Sequence, residues 1–400
     1  MKVVQSRADL LYTPPILTLL LVVAMSYLGV GFLSPLYALY VRDIGASSVD
    51  IGLMTSAFLL AGFLAAPPLG WASDKYGHRS ILWTGLLVHA LLILAYIPAQ
   101  SLAVIVALRA LEGIATVAVL PPARALMNTL APATRQSEAL GLLTTAQATG
   151  LLLGPAAGTF LASRFGYAPP FVTANAFLFV CTALVLVVLP PQSASPEPSP
   201  MPKPLFAALF TPGLLLAYAL RVILAIPNGT VIAIWSLYMA DRGAALPLIG
   251  LSFTTFALAA IVATPLTGRL SDRYGRYWPI MIGLLCSGAV YLLFALPLSP
   301  LLIVGISVAE GAAAAIARTA VDGLLADHTP AAMRGRVQAT FSAASTLGAL
   351  IGAIGAGFFY SISPGLPFLL EGLLILAAAM ALFVPVVARL TIRPQAVEGA

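Results

Sequence analysis

The chain has 400 residues, of which 60% are hydrophobic and only 8% charged, with a formal net charge of +6 and a mean hydropathy of +1.00. Soluble domains carry roughly 25% charged residues, so a water-soluble fold is excluded and part of the solvent must be lipid. The positive balance does not point to nucleic acid, because the basic residues are spread thinly along short loops.

A helix needs about 20 apolar residues to cross a bilayer. Leu10 to Val41, Ile51 to Ser73, Ala139 to Ser163, Phe165 to Pro196 and Val337 to Leu370 hold no Asp, Glu, Lys or Arg. Charges, Pro and Gly used as punctuation predict a first set of six spans near 15–40, 49–72, 79–98, 101–123, 138–162 and 168–190. A second set lies near 210–239, 247–270, 277–297, 300–325, 337–360 and 366–388. The expected fold is therefore an all-α integral membrane protein of twelve transmembrane helices. The first run is too long for a signal-peptide core and no clear small-residue cleavage site follows it, so it reads as a retained span. Between the sets, "PPQSASPEPSPMPKP" (Pro190 to Pro204) favours an extended connector. The expected organisation is an N-terminal six-helix bundle over 1–190, a cytoplasmic linker over 191–206 and a C-terminal six-helix bundle over 207–400.

Twelve spans put both termini and the even-numbered connections on one side. Lys2, Arg7, Lys75, Arg79, Arg135, Lys203, Arg269, Arg273, Arg276, Arg334, Arg336, Arg389 and Arg393 fall there, against Arg42, Arg164 and Arg242 on the other. The positive-inside rule makes the first side cytoplasmic, in a multi-pass protein of the plasma or inner membrane. Cys181 and Cys286 sit inside apolar runs and read as small buried hydrophobes.

One polar phrase occurs twice, "GWASDKYGHRS" from Gly70 and "GRLSDRYGRYW" from Gly268. The offset of 198 residues also pairs Tyr40 with Tyr238, Asp43 with Asp241, Glu112 with Glu310, Gly150 with Gly348 and Gly154 with Gly352. A constant offset over so long a stretch marks a duplicated six-helix unit, the architecture of parallel repeats that rock about a midplane site.

These residues resemble the major facilitator superfamily over essentially the whole chain. Gly70, Asp74, Lys75, Gly77, His78 and Arg79 are similar to its Gly-x-x-x-Asp-Arg-x-Gly-Arg-Lys phrase, with Lys and His at two Arg positions. Gly268, Asp272 and Gly275 repeat the core of it. Arg109, Glu112 and Gly113 resemble its fourth-helix Arg-x-x-Gln-Gly motif, with Glu in place of Gln. Gly150, Gly154, Pro155 and Gly158 resemble its fifth-helix Gly-x-x-x-Gly-Pro-x-x-Gly motif. The resemblance implies a proton-coupled antiporter of the multidrug-efflux branch, with Asp74 bracing the start of span eleven as a conformational latch. From the residues alone, the polar phrase is a Tyr-Gly turn carrying topogenic charge. Gly70 and Gly268 are expected to permit close helix approach, and Asp74 and Asp272 to face a helix terminus. The glycine spacing of span five is ordinary membrane-helix packing, and Pro155 is expected to kink it.

Charges inside spans cost about 2.5–3.5 kcal/mol each at a helix centre and need a reason. Arg109, Glu112, Arg221 and Glu310 are expected near the midplane, with Glu371 nearer an end. Arg109 and Glu112 either neutralise each other and lock the bundle or take part in proton exchange. Glu310 has no arginine one turn towards the outside and is the expected coupling carboxylate. Arg221 and Asn228 are expected to contact substrate. His89 reads as a hydrogen-bonded core residue, while Arg124, Arg318 and Asp322 are explained by snorkelling. Tyr27, Phe32, Tyr37, Trp235 and Tyr238 suggest an aromatic wall from spans one and seven. The expected function is proton-coupled efflux of lipophilic or amphipathic small molecules by a monomer in the bilayer; the alternative is a proton symporter or uniporter for uptake of an organic solute. No cofactor, metal site or catalytic set is visible, and no enzymatic activity is expected.

Overall fold

A computed structural model describes residues 13–191, 209–330 and 333–391, with side chains described to Phe383 in the last helix. The first half comprises α1 (Pro14–Asp43), α2 (Ser48–Tyr76), α3 (His78–Tyr96), α4 (Leu102–Val117), α5 (Leu120–Leu130), α6 (Gln136–Phe165) and α7 (Ala168–Val188). The second comprises α8 (Pro212–Asp241), α9 (Leu246–Tyr274), α10 (Tyr277–Phe294), α11 (Pro300–Asp327), α12 (Arg334–Ile362) and α13 (Leu366–Thr391). Among the described residues, twelve segments are long and apolar enough to span a membrane, α4 and α5 together forming the fourth. Lys2, Arg7, Lys203, Arg393 and nearly all of the expected linker lie outside the described residues.

Local signals set the ends. Pro occupies the first turn of α1, α8 and α11, where the missing N–H has no helical partner to lose. Ser47 and Asp50 form a reciprocal capping box at the start of α2. At its other end Gly77 has φ +88°, and Gly275 repeats this after α9 with φ +84°. A residue with a side chain resists that conformation, so the Tyr-Gly turn of the repeated phrase is a backbone requirement.

The fourth span differs from expectation. It breaks at Ala118 and Val119, just ahead of Pro121 and Pro122. Each proline removes an N–H and pushes its ring at the carbonyl four residues back, which separates α4 from α5. Its repeat mate α11, without the proline pair, is continuous. Pro155 leaves α6 unbroken over Gln136–Phe165, with the Thr159 hydroxyl donating to its carbonyl at 2.7 Å.

The duplication is visible in the packing. In the first half α1 packs on α6, α2 on α4 and α3 on α7; in the second α8 packs on α12, α9 on α11 and α10 on α13. Tyr40 donates to the Tyr96 carbonyl at 3.0 Å, and its mate Tyr238 donates to the Phe294 carbonyl, the equivalent atom, at 2.5 Å. The α1–α6 seam explains the glycine motif. A Cβ on Gly154 would lie 2.6 Å from Gly31 Cα, and one on Gly150 2.6 Å from the Ala24 carbonyl oxygen. In the second half Gly348 and Gly352 meet the carbonyls of Val222 and Ile226 on α8.

The halves meet through two matching seams, α2 with α12 and α6 with α9. Both are tight towards the side bearing Arg42 and Asp241. A Cβ on Gly52 would stand 2.7 Å from the Ala353 carbonyl oxygen, and Thr254 donates to the Leu152 carbonyl at 2.8 Å. Towards the polar phrases the first seam opens. Gly70 and Asp74 of α2 and Gly335, Gln338 and Ser342 of α12 line a cleft of about 470 Å³. Gly70 and Gly268 have no atom within 4 Å of a built Cβ, which corrects the expectation of close helix approach there. Cys181 is buried as expected, whereas Cys286 is exposed on the outer face of α10, where lipid rather than protein meets it.

Candidate functional site

Glu112 is 4% exposed and surrounded by donors. Tyr37 of α1 donates to Oε1 at 2.8 Å, Tyr96 of α3 to Oε2 at 2.8 Å and Arg109 to Oε2 at 2.9 Å. His89 Nε2 lies 3.5 Å from Oε1, so this histidine is a core residue whose polar neighbour is Glu112. Arg109 is in turn sandwiched between the Tyr37 ring, 4.0 Å from its centroid, and the Phe58 ring at 4.4 Å. A buried ion pair holds when further hydrogen bonds satisfy its remaining lone pairs, which is the arrangement here.

Glu310 occupies the same place in the second repeat with the donors removed. The 198-residue offset carries Arg109 to Ser307, Tyr37 to Trp235, Tyr96 to Phe294 and His89 to Ser287. Ser287 donates to Glu310 Oε1 at 2.8 Å. Ser307 turns to the Ile303 carbonyl, Trp235 Nε1 donates to Ser252, and Phe294 has nothing to donate. Glu310 is 4% exposed and its Oε2 has no partner among the described residues.

Glu310 lines a small cavity formed by α8, α9, α10 and α11. Trp235, Phe253, Phe256, Tyr291 and Phe294 supply an aromatic wall, and Asn228, Ser252, Ser287, Ser307 and Arg318 its polar points. Of the residues expected at the site, Glu310, Asn228 and Trp235 are brought together. Arg109, Glu112, Arg221 and Tyr27 are not among those lining this cavity. Arg221 instead sits over the Phe341 ring of α12 at 5.0 Å, and Gly150 packs against the backbone of Tyr27. The expected wall from spans one and seven is likewise corrected. Tyr37 packs against Tyr96 and Phe171, Phe32 against Phe177, and Tyr238 against Phe368, leaving Trp235 as the one of those five on the cavity. Arg318, expected merely to snorkel, lies two turns from Glu310 on α11 and faces the same space.

The polar phrases are wired differently in the two halves. Arg276 holds Asp272 at 2.6 Å and Asp327, at the end of α11, at 2.8 Å. Its mate His78 contacts Ser73 at 2.8 Å, and Asp74 makes no ion pair among the described residues. Arg79 caps α7 by donating to the carbonyls of Val185 at 3.2 Å and Leu186 at 2.6 Å.

The opposite side carries a link between halves that the sequence reading missed. Arg42 donates to Asp241 Oδ1 at 2.8 Å, and Tyr360 of α12 donates to Oδ2 at 2.6 Å. The ion pair is well exposed, its side chains 38% and 41% accessible, and such pairs contribute about 0.2–1 kcal/mol. Asp241→Asn should therefore raise the fraction of molecules parted on this side by no more than about fivefold. Distances between spin labels at Ile44 and Ala245 would register the shift; an unchanged distribution would show that the link does not hold the seam.

Two six-helix repeats that meet tightly on one side and part at the α2–α12 seam on the other, with a cavity inside the second repeat, have the build of a multi-pass membrane transporter. The family model of the Major Facilitator Superfamily matches residues 19–227 and 217–399, and the chain belongs to that family. It is 27% identical over 381 residues to the multidrug resistance protein MdtG of Klebsiella pneumoniae (strain 342), covering 91% of this chain and 90% of that protein. It is 26% identical over 347 residues to the multi-drug resistance efflux pump PmrA of Streptococcus pneumoniae serotype 4, covering 83% and 86%. The fold is similar to that of a bacterial homologue of the human lysosomal transporter Spinster, crystallised inward-facing and unoccupied, with TM-score 0.80, 16% identity and coverage of 98% and 100%. The nucleoside transporter NupG follows with TM-score 0.73, 13% identity and coverage of 92% and 98%.

Proposed function

We propose that this transporter exports lipophilic or amphipathic small molecules in exchange for protons, with Glu310 as the carboxylate that binds and releases the proton. The observation that carries this reading is the loss of three of the four polar neighbours that surround its repeat mate Glu112. An ion-paired, fully bonded carboxylate stays ionised through a cycle; a buried one with a single hydroxyl donor and a free oxygen is poised to trade a proton. The aromatic wall suits a flat apolar solute, and the multidrug names of MdtG and PmrA agree with that substrate class.

In this reading the bundles 1–190 and 207–400 rock against each other along the α2–α12 and α6–α9 seams as a monomer in the cell membrane, exposing the cavity of the second bundle to each side in turn, and the loops bearing the polar phrases, with both termini, are cytoplasmic. The cleft beside Asp74 is then the inward-facing entrance. Asp74 latches the outward-facing state by meeting the N-terminal end of α12, where helix N–H groups attract a carboxylate. Asp74→Asn should greatly reduce turnover while leaving equilibrium dye affinity within a few-fold; lost binding with an unchanged conformational distribution would refute the latch.

Ethidium, a flat lipophilic cation, tests the whole reading. Inside-out vesicles with an acidified lumen should accumulate it, and dissipating the pH gradient should release it. Uptake that follows the proton in the same direction would instead make the protein a symporter.

A further inference from the structure

Glu371 of α13 is a second buried carboxylate, 6% exposed, outside the roles assigned so far. Thr230 of α8 donates its hydroxyl to Oε1 and lies 3.2 Å from the Gly352 carbonyl oxygen of α12, while Oε2 has no partner. The residue sits between two spaces. On one side Tyr291 of α10, which lines the Glu310 cavity, stacks on Phe368 one turn before Glu371, with centroids 6.3 Å apart at 30°. On the other, Glu371 borders an apolar cleft of about 150 Å³ shared by α8, α12 and α13.

The groups acting on it are few. Thr230 of α8 bonds to it, and Tyr291 of α10, which stacks one turn away on Phe368, shares a cavity with Glu310 of α11; α12 offers backbone and apolar side chains. Arg318 lines the cavity with Glu310 and Tyr291, but no Lys, Arg or His among the described residues forms an ion pair with Glu371. The first repeat has Thr173 at the position of Glu371 and Phe32 at that of Thr230, so the fold does not require this acid.

We propose that Glu371 is a second proton-binding site, coupled through space to Glu310, so that the C-terminal bundle carries two exchangeable protons released in turn. An unpaired carboxylate held out of water is penalised when ionised, and two neighbouring acids resist ionising together. They therefore titrate as a pair rather than singly. The proton of Glu371 rests on the donor-free Oε2 while Oε1 accepts from Thr230. On release the O–H bond breaks, its electrons stay on Oε2, and the proton passes to a water molecule that reaches Oε2. The inference rests on the reading that Glu310 carries the coupling proton.

Infrared difference spectra of the full chain in detergent, recorded across a pH titration, read the carbonyl stretch of protonated carboxylic acids. Wild type should show two buried-acid bands, Glu310→Gln and Glu371→Gln one each, and the double variant none. A Glu371→Gln spectrum identical to wild type would overturn the proposal. Thr230→Val keeps the acid and removes its donor, so the Glu371 band should move in frequency; an unmoved spectrum would equally overturn it. Driven ethidium transport surviving in Glu310→Gln would refute the coupling reading but leave the Glu371 band in place, so the two fail separately.

Discussion

Glu310→Gln is expected to abolish accumulation of ethidium against its gradient while leaving downhill exchange in the same order of magnitude. Gln is nearly isosteric and can still accept from Ser287, so the cavity keeps its shape and its aromatic wall. What it loses is the proton. A carboxylate at a helix centre costs about 2.5–3.5 kcal/mol, and protonation relieves that cost each time the cavity changes face. A permanently neutral amide crosses without a proton, so the pH gradient has no hold on the cycle. Comparing driven and passive transport in the same vesicles separates this from a folding defect, which would lower both. Full accumulation by the variant would move the coupling site elsewhere, with Glu112 the next candidate.

Arg109→Ala should impair driven and passive transport alike, through the N-terminal bundle itself. Removing one partner of a buried pair typically costs about 3–5 kcal/mol, because the other charge is stranded. Tyr37, Tyr96 and His89 would remain beside Glu112, but the guanidinium also fills the space between the Tyr37 and Phe58 rings. The expected result is a lower unfolding temperature with loss of both activities. Adding Glu112→Gln should recover part of the lost stability, since no charge is then left unpaired. A double variant no more stable than Arg109→Ala would show that the cost lies in the lost packing rather than in the stranded carboxylate.

Much of this architecture was legible in the chain, because lipid imposes simple rules. Charge-free runs give the spans, and a constant offset exposes the duplication. The i,i+3 spacing of Arg109 and Glu112 predicts their contact, and the 2.9 Å bond delivers it. Contacts between distant segments were less visible. Nothing in the local sequence around Glu112 announces Tyr37, Tyr96 and His89, which arrive from two other helices. Yet the signal that separates Glu310 from Glu112 was present, since reading the same offset at 37, 89, 96 and 109 shows the donors replaced. Pro121 and Pro122 likewise mark the break in the fourth span. Gly70 and Gly268 misled because small residues permit close approach without enforcing it, and here the space beside them is open. Arg42 and Asp241 read as loop charges, and their pairing depends on how the two halves meet. Glu371 lies only five residues from the start of α13, which hid how completely Thr230 and its neighbours enclose it.

The central claim is that substrate and proton move in opposite directions through one cycle that needs Glu310. It is tested most directly by imposing an ethidium gradient, with no initial pH difference, across liposomes holding the purified protein and a trapped pH dye. Wild type should drive protons against the flow of ethidium, and Glu310→Gln should pass ethidium with no proton movement. Ethidium crossing through the wild-type protein with the internal pH unchanged would contradict it.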